Sequence, residues 1–127
     1  MKKLNINQLD KKEEEIVDAL ICLGLGRNVA RTLTFLNNAE EATSVTLERG
    51  TGLRQPEISI VMRQLKENEW INEKDEKKIG KGRPFKIYSL KVGFNRIIAH
   101  LENQQKKGVD EAHKNIERLR ELGKIRI

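Results

Sequence analysis

The chain has 127 residues, of which 35% are charged, 37% hydrophobic and 4% aromatic, with 25 Lys and Arg against 19 Asp and Glu and a formal net charge of +6. That length fits one domain with appendages and argues against a multidomain enzyme. The composition argues against disorder and favours a helix-rich fold with a modest core, and the basic balance favours polyanionic partners. A single cysteine, Cys22, excludes an intrachain disulfide. No apolar h-region follows the charged start and no apolar run approaches the roughly 20 residues of a membrane span, so the expectation is a cytoplasmic protein with no membrane partner.

In chain order, Ile16, Val17, Leu20, Ile21 and Leu23 predict a helix from about residue 11, ended by Gly24 and Gly26, with Cys22 in its apolar part as a small buried hydrophobe. A second helix is predicted over 28–37 from Val29, Leu33 and Leu36, closed by Asn37 and Asn38. Thr43 or Ser44 can cap a third, short helix running through Glu48, because a hydroxyl there accepts from the unpaired amides of the first turn, and Gly50 and Gly52 supply the backbone that stops it. Pro56 then stands in the first turn of a fourth helix, 55 to about 68, where its missing N–H costs nothing. Ile58, Val61, Met62 and Leu65 follow at i, i+3, i+4 and i+7. Rotation by about 100° per residue puts Pro56, Ile60, Arg63 and Glu67 opposite that stripe, with Ser59 and Gln64 flanking.

Two short helices joined by a tight turn make a helix-turn-helix, whose second member can lie in a DNA major groove. After it, the stretch 70–79 opens apolar and becomes charged. Gly80-Lys81-Gly82-Arg83-Pro84 follows, and then Phe85, Ile87 and Ser89 alternate with Lys86, Tyr88 and Leu90, so the pattern predicts a β-hairpin. Trp70 and Tyr88 are expected in its core. The fold class expected is mainly α with a small β-hairpin: a winged helix-turn-helix domain over 1–91, then C-terminal helices over 92–127 that serve dimerisation, with packing on the winged domain of their own subunit as the alternative. Phe94, Ile97, Ile98 and Leu101 form one stripe of that segment. After Gly108 a second stripe forms from Val109, Ala112, Ile116, Leu119 and Leu122, of which the first four take the 3-4-3 spacing of a coiled-coil seam over barely two heptads. Gly123 reads as the stop, with 124–127 frayed.

The residues Leu23-Gly24-Leu25, Ala30, Leu33, Ala42-Thr43, Leu47, Gly52-Leu53, the Ile58/Val61/Leu65 stripe and the run from Gly82 to Leu90 together resemble archaeal winged-helix transcription regulators. The likeness is closest to the DNA-binding domain of the TrmB-like group and looser to the MarR and ArsR groups, and it covers about half of the chain. It implies double-stranded DNA as the partner. Larger members of that group carry a sugar-binding domain after the winged helix, for which residues 92–127 leave no room.

Candidate DNA-binding residues are Arg54, Gln55, Ser59, Ile60, Arg63 and Gln64 around the fourth helix, with Lys81, Arg83 and Lys86 on the hairpin. Arg63 can donate two bonds to guanine, and Gln55 and Ser59 can reach bases or phosphates. Lys81 and Arg83 can hold phosphates or enter a minor groove. Ile60 either touches a thymine methyl or fills an interdomain contact. The alternative for all of these is a solvated polar surface, and Glu57 and Glu67 repel phosphate. His100 and His113 lack clustered acid or cysteine partners, so neither a metal nor a cofactor is expected. No phosphate loop, HExxH or nucleophile signature occurs, so the expectation is no enzyme. Two functions compete: a sequence-specific transcription regulator acting as a homodimer, and a protein-binding winged-helix subunit of a transcription or chromatin assembly without sequence preference. The operator and any small-molecule effector are not legible.

Overall fold

The structure, a computed structural model, describes residues 9–76 and 85–125. The chain divides into two compact units, residues 1–94 and 95–127. The first is mainly helical with a small antiparallel sheet, in the order α1 (Lys11–Cys22), α2 (Arg27–Ala39), β1 (Ala42–Thr43), α3 (Ser44–Thr51), α4 (Gln55–Glu67), β2 (Ile71–Glu76) and β3 (Phe85–Leu90). No helix among the described residues is long and apolar enough to cross a membrane.

Helix α1 opens on a reciprocal cap: the Glu13 amide donates to Asp10 Oδ1 and the Asp10 amide to Glu13 Oε1, both at 2.8 Å. This satisfies two amides that a helix start otherwise leaves open. Its buried residues are Val17 and Leu20. Cys22, expected in the interior, is exposed at the end of α1, where rotation carries it to the side opposite Leu20.

Helix α2 is the centre of the unit. Ala30, Leu33, Phe35 and Leu36 are buried, and so are Thr32 and Thr34, whose hydroxyls donate to the carbonyls of Asn28 and Ala30 at 2.9 Å. Burial of a hydroxyl is tolerable because each bonds to the turn before it. Asn37 and Asn38 do not close α2, which runs on to Ala39 and ends with Glu40 at φ 70°. Arg31 ties three helices: it pairs with Glu14 at 3.1 Å, and its Nε donates to the Thr51 carbonyl at 3.0 Å.

Helix α3 starts as expected, with the Thr46 amide donating to Thr43 Oγ1 at 3.2 Å. It runs past Glu48 to Thr51, with Gly50 inside it, and Gly52 alone, at φ +81°, makes the stop. The sheet is larger than a hairpin. Its order is β1-β3-β2, with Thr43 opposite Ile87 and Ala42 opposite Tyr88 on one side of β3, and Ile71 opposite Leu90 through Glu76 opposite Phe85 on the other. Trp70, Ile71 and Tyr88 are buried.

The second unit is one continuous helix. Helix α5 runs Phe94–Ile125, through both Gly108 and Gly123, so the expected break and stop do not occur. A glycine inside a helix costs about 1 kcal/mol relative to alanine, which at Gly108 the long runs of helix formers on either side outweigh, whereas Gly123 lies two residues before the end of α5. Ile97 and Leu101 are buried, whereas Val109, Ile116, Leu119 and Leu122 are exposed.

Candidate nucleic-acid interface

The candidate surface is built on α4. A three-residue turn, 52–54, follows α3, and Leu53 in it is buried. The turn therefore anchors α4 to the core at its first residue. Arg54 is the N-cap residue of α4, and its amide donates to Glu57 Oε1 at 2.9 Å. Glu57 thus has a structural task on this face: it closes an open amide and places a negative charge at the positive end of the helix.

Ile58, Val61, Met62 and Leu65 are buried at 4% exposure or less. Their burial fixes the rotation of α4. Arg54, Gln55, Ser59, Ile60, Arg63 and Gln64 are consequently all exposed, as one surface with Pro56 and Glu67. The arrangement presents a planar guanidinium, two amides, a hydroxyl and one aliphatic group from a single helix. No ion pair to Arg54 or Arg63 forms among the described residues, so neither charge is neutralised there.

Lys86 is different. Its Nζ lies 3.0 Å from Glu73 Oε2 and 3.2 Å from Asp75 Oδ1, and Lys66 of α4 reaches the other Glu73 oxygen at 3.3 Å. The register explains this: Asp75 is directly opposite Lys86 and Glu73 is opposite Tyr88, so all three side chains share the sheet face that carries buried Ile71 and Tyr88. The Lys86 hydrogen bond holds the Glu73 carboxyl below its ordinary value, against the opposing effect of partial burial, and Lys66 adds to it. Lys86 is in turn raised, first by Glu73 and then by Asp75. Lys86 is therefore engaged within the sheet, with two carboxylates beside it, and does not present a free cation. Lys81 and Arg83 lie outside the described residues.

One exposed cation of this surface escaped the sequence reading. Arg49 lies in the last turn of α3, so that it and Arg54 stand on either side of the turn into α4. Its signal was the position of Gly52, which dates the end of α3 and hence which cation lies next to the turn. No family model matches the chain, and no curated protein matches it.

Proposed function

We propose that the chain is a winged helix-turn-helix transcription regulator that binds double-stranded DNA as a homodimer, with α4 as the recognition helix in the major groove. The observation that carries this reading is the outward face of α4: Gln55, Ser59, Arg63 and Gln64 exposed together, donors and acceptors suited to base edges, on a helix whose other face is locked into the core. Arg49 and Arg54 beside the turn suit phosphates, which position the helix without reading sequence. The pair of strands β2 and β3 is the wing in this reading.

A second copy of the chain is the partner we assign to α5. Val109, Ile116, Leu119 and Leu122 expose 44–68% of their area on one helix, and Val109, Ala112, Ile116 and Leu119 stand at seam spacing. Two-fold symmetric DNA sites are met by two-fold symmetric proteins, which makes self-association the use that fits both surfaces. The test is a mobility shift on random genomic fragments at two salt concentrations with competitor DNA. Binding that weakens with salt and survives competitor only on some fragments supports the regulator. Absence of binding to any duplex at low salt overturns it in favour of a protein-binding winged-helix subunit.

A further inference from the structure

Ile60 is 55% exposed at the middle of the outer face of α4, while every buried side chain of that helix lies on the opposite side. No packing requirement of the fold places an aliphatic group there. A β-branched residue is also mildly unfavourable in a helix, and its exposure leaves apolar area in water. The side chains one turn away, Glu57, Arg63 and Gln64, are all exposed and polar, and Pro56 lies one turn before. A protein-binding surface has an apolar cluster with charges depleted at its centre. Here a single aliphatic group stands among polar ones, with Pro56 as its apolar neighbour. The major-groove edge of a base pair has the same character, since its one apolar group is the C5-methyl of thymine among hydrogen-bonding atoms.

We infer, on the basis of the DNA-binding reading above, that Ile60 is a specificity-determining residue that reads the C5-methyl of a thymine next to, or one pair beyond, the base pair facing Arg63. The spacing follows from helix geometry. Ile60 and Arg63 are separated by three residues, or about 4.5 Å of rise, against about 3.4 Å between successive base pairs. Ile60 and Arg63 then form a two-residue reader, one apolar contact and one bidentate donor on adjacent or next-adjacent pairs.

The experiment uses the full chain and a duplex selected from genomic fragments for tight binding. Each thymine is replaced in turn by deoxyuridine, which removes the methyl and keeps every hydrogen-bonding atom. Dissociation constants are measured for wild type and for Ile60→Ala, which removes the contact at an exposed helical site. The expected result is one thymine per half-site at which deoxyuridine weakens wild-type binding by about fourfold, the worth of one buried methyl, and at which Ile60→Ala shows no such loss. Tight wild-type binding with no sensitive thymine overturns the inference, while the DNA-binding reading stands. A sensitive thymine that stays equally sensitive in Ile60→Ala overturns it as well. Failure of the wild type to bind any duplex at low salt overturns the DNA-binding reading and this inference with it.

Discussion

The ring of Phe35 on α2 fills the space that a side chain on Gly50 of α3 would occupy: a Cβ placed on Gly50 overlaps Cε1, Cδ1 and Cζ of the ring. Phe35 is itself 5% exposed, so the ring has nowhere to swing. Gly50 is helical, and alanine there gains up to about 1 kcal/mol in helix propensity. Overpacking of a closed core costs roughly 1–3 kcal/mol, and it wins because the obstacle is a buried ring and not the free end of a flexible chain. Gly50→Ala is therefore expected to lower the melting temperature, and Phe35→Leu in the same background to recover part of the loss. A melting temperature that rises in the single variant would show that the ring moves aside.

Much of the site was legible for local reasons, and what was not legible depended on partners far along the chain. Helix α4 carries both a start signal, Pro56, and a full period, Ile58 to Leu65, so its limits and its outward residues followed directly. Gly50, Gly108 and Gly123 carry an ambiguous signal, because glycine serves equally as a stop, as a place of close approach and as a tolerated helical residue. Only the position of Phe35 decides the first case, and only the continuous α5 decides the others. Strand β1 has two residues, too few for any period, and exists because Ala42 and Thr43 pair with β3. Lys86 was counted among the cations of its own strand, whereas the carboxylates that occupy it, Glu73 and Asp75, come from β2 across the ladder.

That cluster gives the protein an acid-sensitive element. Glu73 has a lowered pKa in the folded chain, chiefly through Lys86, so its contribution to stability is fully present above the unfolded value near 4.5 and is lost as pH falls through the lower folded value. Lys86 is raised, so its share is present below its unfolded value near 10.5 and is lost as pH rises through the folded one. Glu73→Gln is expected to destabilise by about 1 kcal/mol at pH 7, since pairs this near the surface are individually weak. The difference from wild type should shrink toward zero as pH falls below 4.5 and through the lower folded value. Urea titrations at pH 7, 5 and 3 make the comparison, and parallel loss in both proteins counts against the assignment.

The exposed stripe of α5 predicts the oligomeric state. Changing Ile116 and Leu119 together to Asp puts two carboxylates in the middle of the exposed stripe they share with Val109, which is the proposed seam. Sedimentation of the full chain should give a dimer for wild type and a monomer for the double variant, with the helical circular dichroism signal of residues 9–94 retained. Both residues are at least 44% exposed, so the substitution has little core to disturb. DNA binding should weaken sharply in the monomer, because each half-site is then held without the other. A double variant that remains dimeric places the interface elsewhere.

Arg63 separates reading bases from merely touching DNA. It lies opposite the buried stripe of α4, two turns into the helix, exposed and unpaired among the described residues. A guanidinium there can span the O6 and N7 atoms of guanine with two parallel bonds, an arrangement that lysine cannot copy. Arg63→Ala is expected to cost roughly 1–3 kcal/mol on the preferred site and far less on a scrambled duplex. Arg63→Lys should recover the charge but not the selectivity. The change lies on solvent-facing surface, so the melting temperature should stay within the small range usual for such sites. Arg49→Ala provides the contrast: as a phosphate contact it should weaken binding to both duplexes alike and reduce the slope of log K against log salt by about 0.9. Equal losses for Arg63→Ala on both duplexes would reassign Arg63 to phosphate binding, and no loss on either would remove this face of α4 from the groove.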